Sequence, residues 1–165
     1  MQDTFAPLER AARRAQPEAG EWCVDQCLQH LVLSFEMHLT HILPVLERDK
    51  GVDSAESFPR SWLARRNFYQ KEFDPRTKTK TLDKVNPRDD NYPEVYDQYT
   101  AQKERAAALL ERARRANLQR GCWFASRAPI NLGDYLEVLV RHDELHTNQT
   151  QRALAAYRQF APAAR

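Results

Sequence analysis

The stretch His142-Asp143-Glu144-Leu145-His146 carries the side chains of this sequence best spaced for chemistry. Two imidazoles four residues apart on a helix share a face and stand about 6 Å apart along the axis, so both can reach one ion. A divalent transition metal such as zinc, nickel or iron accepts neutral imidazole nitrogen. Two ligands from one helical face leave its remaining positions to a second helix or to water. The competing reading is a pair of partly buried, hydrogen-bonded histidines with no ion between them. The zincin protease use of this spacing fits badly, because it needs glutamate directly after the first histidine. Here Asp143 stands there, and Glu144 is turned by about 100° around the helix.

A third ligand must come from elsewhere, and the sequence offers His30, His38 and His41. His30 is the best placed: it follows the helix start at Glu21-Trp22-Cys23-Val24 by two turns and sits beside the apolar positions Leu28 and Leu31. His38 lies within the same apolar stripe and also suits a hydrogen-bonded core histidine. His41 shares an approximate face with His30 but lies about 16 Å further along the axis, so the three cannot all serve one ion. Cys27, three residues before His30, could join it on a metal, although a buried structural cysteine is the commoner outcome. Gln149 lies less than one turn beyond His146 on the same face, where its amide could orient a ligand or a bound water. Asp143, Glu144 and Glu36 are carboxylates close in sequence to these ligands, and supporting or solvated roles suit them better than catalysis.

These side chains need helices to hold them, and apolar periodicity supplies four. The first spans about 4–15, with Thr4 as a cap and Phe5, Leu8, Ala11, Ala12 and Ala15 at helical spacing before Pro17 and Gly20. The second spans 24–47, with Val24, Leu28, Leu31, Phe35, His38 and Ile42 on one stripe; Pro44 should kink or end it near its last turn. The third spans about 92–116, with Tyr92, Val95, Tyr99, Ala106, Leu109, Leu110 and Ala113 inward and Asn117 as a stop. The fourth spans about 131–158 and carries the His142/His146 pair; Asn131 is its N-cap, with Asp134 three positions on.

Some forty residues, 49–91, separate the second and third helices, far more than bundle connections usually need. Trp62, Leu63, Phe68, Tyr69 and Phe73 among Arg60, Arg65, Arg66 and Lys71 predict a short amphipathic helix lying over the bundle, with Pro75 to Pro87 irregular. The arginines could supply a lid over an anionic cosubstrate, or a solvated face packed on aromatics. A crossover this long also permits the second and third helices to run parallel.

Length and composition set the bounds. The 165 residues suit a single domain, 1–165, and 4 glycines argue against a β-rich chain, so the fold class is all-α. With 25 basic and 23 acidic side chains, no strong overall field draws the chain to nucleic acid or anionic lipid. Three cysteines, two of them four apart on one helix, fit disulfide geometry poorly and point to a reducing, cytoplasmic setting. No stretch approaches the roughly 20 apolar residues of a membrane span.

Two separated runs resemble one family. Glu21-Trp22-Cys23-Val24-Asp25-Gln26-Cys27-Leu28-Gln29-His30-Leu31 is similar to the second-helix signature of the DinB-like metalloenzyme superfamily, in which tryptophan and a small polar cap precede a His-Leu pair; Cys23 replaces the usual serine or threonine. Leu132-Gly133-Asp134 through His142-Asp143-Glu144-Leu145-His146-Thr147-Asn148-Gln149 resembles its last helix, where two histidines at this spacing are followed three residues later by glutamine. The resemblance covers nearly the whole chain. It implies a four-helix bundle with a long crossover between helices 2 and 3, often dimeric, and a histidine triad of His30, His142 and His146 holding one metal with open positions. Members of the family include thiol-dependent S-transferases, a mycothiol-dependent isomerase and hydrolases. The expectation is therefore a metal-dependent transferase or hydrolase acting on a small electrophilic substrate, with a low-molecular-weight thiol as a candidate cosubstrate. The rivals are a non-catalytic protein stapled by its metal and a metal-free helical binding module.

Overall fold

Helix α2 (Val24–Glu47) is the element the sequence prescribes most completely. All six residues of its apolar stripe, Val24 to Ile42, are buried. Its start is a capping box in which the Cys23 side chain takes a backbone N–H of the first turn and Gln26 Oε1 accepts the Cys23 N–H at 3.1 Å. The thiol therefore stands in for the usual hydroxyl. Pro44 does not end the helix, which closes one turn later at Glu47; Thr40, whose carbonyl loses the proline's N–H, turns its hydroxyl to the Met37 carbonyl at 2.7 Å.

The computed structural model describes residues 9–51, 60–66, 81–88, 94–124 and 128–160. Within them the first helix is α1 (Arg10–Arg14), with Ala12 buried; Thr4, Phe5 and Leu8 lie outside the described residues. In the crossover, α3 (Trp62–Ala64) falls within the stretch where the 60–71 pattern predicts a short helix, and Phe68, Tyr69, Lys71 and Phe73 again lie outside the described residues. Helix α4 (Val95–Ala113) is shorter than the expected 92–116. Its last turn tightens into a bond from the Ala116 N–H to the Ala113 carbonyl. Leu110, expected inward, is exposed, because it is rotated about 100° from the buried Leu109.

Helix α5 (Leu132–Phe160) opens as expected. Asn131 Oδ1 accepts the Asp134 N–H at 2.7 Å, a cap worth about 1 kcal/mol. Asp134 does not return the favour: its carboxylate accepts the Ser61 N–H at 2.8 Å and pins α3 to the first turn of α5. The sequence reading foresaw no strands, yet β1 (Gly121–Phe124) and β2 (Ala128–Asn131) pair antiparallel, with Cys122 opposite Ile130 facing inward and Trp123 opposite Pro129 facing out.

Two apolar clusters reveal how the long helices run. Val24, Leu28 and Leu31 of α2 pack with Val95 and Tyr99 of α4 and with Ala153 and Leu154 of α5. Leu39, Ile42 and Leu46 pack with Leu109 and Ala113 and with Leu132, Tyr135 and Leu136. Start meets start and end meets end for α2 and α4, so they are parallel, as the long crossover permits, and α5 runs antiparallel to α2. Between the clusters lies a polar layer of His30, Ser34 and His38 from α2 and His142 and His146 from α5. The chain is thus mostly helical around a split core. No helix among the described residues is long and apolar enough to cross a membrane.

Part of the crossover returns over α2. Asp83–Val85 is a 3-10 helix where an irregular segment was expected, and Val85 is buried. Its placement brings a backbone carbonyl into the polar layer.

Candidate metal centre

His30, His142 and His146 meet where α2 and α5 cross this layer, and their candidate ligand atoms all lie within 4.8 Å of one another. His30 Nε2 and His142 Nε2 are 3.2 Å apart, although 112 residues separate them in sequence. The ring centroids of His30 and His146 are 4.5 Å apart, and those of His142 and His146 are 4.6 Å apart. A tetrahedral ion with bonds of about 2.0 Å sets its ligand nitrogens about 3.3 Å apart, so the closest pair already has the required separation.

Two of the three rings have their tautomers set by their surroundings. His30 Nδ1 lies 2.7 Å from the Val85 carbonyl, which can only accept, so Nδ1 carries the proton and Nε2 keeps its lone pair. His146 Nδ1 lies 2.9 Å from Gln149 Oε1, another acceptor, with the same consequence. Oxygen acceptors behind metal-binding imidazoles fix ring orientation and raise ligand basicity. Ser34 Oγ, 3.4 Å from His30 Nε2, adds a hydroxyl to the same side.

The rings are also held neutral. Burial, then the neighbouring His146, lowers the His30 pKa to about 4, against the small opposing effect of the Val85 bond. Burial pulls His142 well below the ordinary histidine value, helped by His146, His30 and His38. His146 is lowered by burial and by Arg152, while its bond to Gln149 acts the other way. Three crowded neutral imidazoles, two of them with the Nδ1 proton held by an oxygen acceptor, form a donor set suited to a divalent transition metal.

Trp22 covers the centre from the start of α2, its ring 4.8 Å from that of His30 and stacked at 5.7 Å on that of His146. His38 does not join the triad. Its Nδ1 hydrogen-bonds the Tyr135 hydroxyl at 3.1 Å, its ring sits 5.3 Å from Phe124, and burial, followed by the charges of His41 and His30, lowers its pKa to about 3. It is a partnered core histidine in contact with the site, with its ring 6.1 Å from that of His142. His41 lies outside the cluster. Cys27 does too; burial raises its thiol to about 12, so it stays protonated at neutral pH.

Of the nearby carboxylates, Asp143 and Glu36 are engaged elsewhere and Glu144 is exposed. Asp143 takes Lys103 Nζ at 2.6 Å and the Tyr99 hydroxyl at 3.3 Å, tying α5 to α4. Glu36 pairs with Arg105 on the exposed side of the same two-helix seam that α2 makes with α4. Arg60 binds Glu137 at 2.8 Å and Arg66 stacks over Trp62, so these two arginines of the crossover serve α3 and the first turns of α5. Sequence reasoning missed the Val85 carbonyl and the His38–Tyr135 pair. A backbone acceptor leaves no residue-type signal, whereas Tyr135, seven residues before His142 on the same helical face, was visible as a neighbour.

Compared with known families, the chain matches the DinB superfamily over residues 1–150. No curated protein and no solved structure matches it.

Proposed function

The chain belongs to the DinB superfamily, and on that premise we propose that it is a metal-dependent enzyme, a thiol-dependent transferase or hydrolase acting on a small electrophilic substrate. His30, His142 and His146 are the ligands of one zinc, nickel or iron ion. The observation that carries this reading is the meeting of three imidazoles from two helices, their candidate ligand atoms within 4.8 Å of one another and two of the rings backed by oxygen acceptors. When bound, a divalent ion held by neutral imidazoles alone retains its full charge and supplies Lewis acidity toward a thiol, a water or a polarised substrate.

The chain's own residues supply the rest. Val85 and Gln149 hold the Nδ1 protons of two ligands. Trp22 shields two of the rings from water. The Gln149 amide nitrogen is the group that orients a bound thiol or water. Superfamily membership further supports a four-helix bundle with α1 as its fourth helix, a single domain over 1–165, and a homodimer. The three free cysteines, all buried, suit a reducing cytoplasm.

Metal analysis of protein purified without a histidine tag, followed by assays of thiol conjugation and ester or amide hydrolysis on the loaded protein, tests the proposal. One equivalent of metal with thiol-dependent turnover is the expected result; metal that only raises the melting temperature, with no turnover across the panel, would favour the stapled, non-catalytic protein. Replacing Gln149 by leucine removes the acceptor on His146. Metal affinity should fall by about 10- to 100-fold, the usual cost of losing such a partner, as read by competition with a chromophoric chelator. An unchanged affinity would assign Gln149 to packing alone.

A further inference from the structure

We infer that Gln29 is a positioning residue for the metal centre, gripping the crossover so that its Val85 carbonyl stays on His30. The inference rests on the metal-ligand reading of His30 proposed above. Gln29 precedes His30 on α2 but projects about 100° away from it, off the stripe that packs on α4 and α5. It is nevertheless buried, at 3 % exposure. Its Oε1 accepts the backbone N–H of Arg88 at 2.7 Å, three residues beyond Val85, whose carbonyl takes the His30 Nδ1 proton at 2.7 Å. Consecutive residues of α2 thus hold the two ends of one short segment, one by a backbone donor and the other by a backbone acceptor. The 3-10 turn ends at Val85, and Asn86 and Pro87 span the gap to Arg88.

Packing alone does not account for a glutamine at this position. Its Nε2 is buried with no partner among the described residues, a defect that leucine of similar size would avoid. The oxygen is the atom in use, and its use is to set the register of the segment. A carbonyl behind a metal-binding imidazole selects the tautomer and the ring angle. A residue that places that carbonyl therefore acts on the metal without touching it.

The test uses the full chain, with zinc as the probe and two readouts. Imidazole nitrogen NMR of metal-free protein should report His30 protonated at Nδ1, and competition with a chromophoric chelator gives the zinc affinity. Gln29→Leu removes the acceptor, and Arg88→Pro removes the donor at an exposed position, so that one variant tests the bond if the other fails to fold. Both should mix the His30 tautomers and weaken zinc binding by about tenfold, the lower end of the range for such partners. Gln29→Glu keeps an oxygen acceptor and should recover the Nδ1 tautomer, which a residue needed only for filling space would not require. Wild-type tautomer and wild-type zinc affinity in both the leucine and the proline variants would overturn the inference. If the wild type itself binds no zinc, the metal reading fails; the tautomer comparison still decides whether Gln29 sets His30.

Discussion

Replacing His142 and His146 together by alanine is expected to take the protein from about one bound metal to none after dialysis, because a single imidazole remains of three. The loss should exceed the roughly hundredfold that removing a supporting partner can cost, since ligating nitrogens themselves disappear. His142→Ala/His146→Ala also removes a link between α2 and α5, the two long helices that share both apolar clusters. A ligand present at about a thousand times its dissociation constant stabilises the native state by about 4 kcal/mol. For a chain of this size that corresponds to about 10 °C in melting temperature. Chelating the wild type should therefore lower its melting temperature by that amount, while the double variant should not respond to chelator. Metal content by elemental analysis and melting by circular dichroism are the measurements. Full retention of metal by the double variant would refute the site.

Metal-free protein should lose much of its stability between neutral pH and pH 4. His30 and His38 have folded pKa values of about 4 and about 3, below the ordinary 6.5 of an exposed histidine, and burial is the main cause for both. Above pH 6.5 both are neutral whether the chain is folded or not, so this contribution is fully present. As the pH falls below 6.5 the unfolded chain takes up protons that the folded one refuses, and stability declines until the folded pKa is reached. Each of these imidazoles costs about 1 kcal/mol by pH 5.5 and about 3 kcal/mol by pH 4. His142 and His146 shift in the same direction and add to the trend. Against a typical total of about 5–15 kcal/mol, the sum is a large part of the stability of the metal-free protein. The urea midpoint, followed from pH 7.5 to 4.5, should hold down to about pH 6.5 and fall below it; a flat profile throughout would mean that the imidazoles are solvated and the polar layer is open.

How far the sequence anticipated this depends on which force shapes each element. Helix α2 was legible because six core positions recur at helical spacing, while its cap at Cys23 was indicated only by the family resemblance. The cap of α5 was plain in Asn131, but Asp134, three positions on, serves Ser61 of a segment far away in sequence, and no local pattern encodes that. Leu110 was misplaced because Leu109 and Leu110 are adjacent, and only one of two neighbours can face a narrow seam. The hairpin escaped because each strand is only four residues long, too short for alternation to stand out; its inward pairing of Cys122 with Ile130 is tertiary information. For the site, the spacing of His142 and His146 was readable from periodicity, whereas choosing His30 over His38 and His41 needed the family resemblance. The geometric reason is now visible: His30 has Val85 behind it and two imidazoles before it, while His38 is occupied by Tyr135.

The 112 positions that separate the first and second members of the triad bear on how the proposed centre would be made. During synthesis from the N-terminus, α2 leaves the ribosome with only one of the three triad imidazoles, long before α5 exists. A nascent chain at that stage lacks two of the three proposed ligands, so capture at this site would be weak and reversible. Only a chain translated through its final helix can bring the remaining nitrogens into place, so under the proposed metal reading occupancy would be a late event that marks a correctly packed α5.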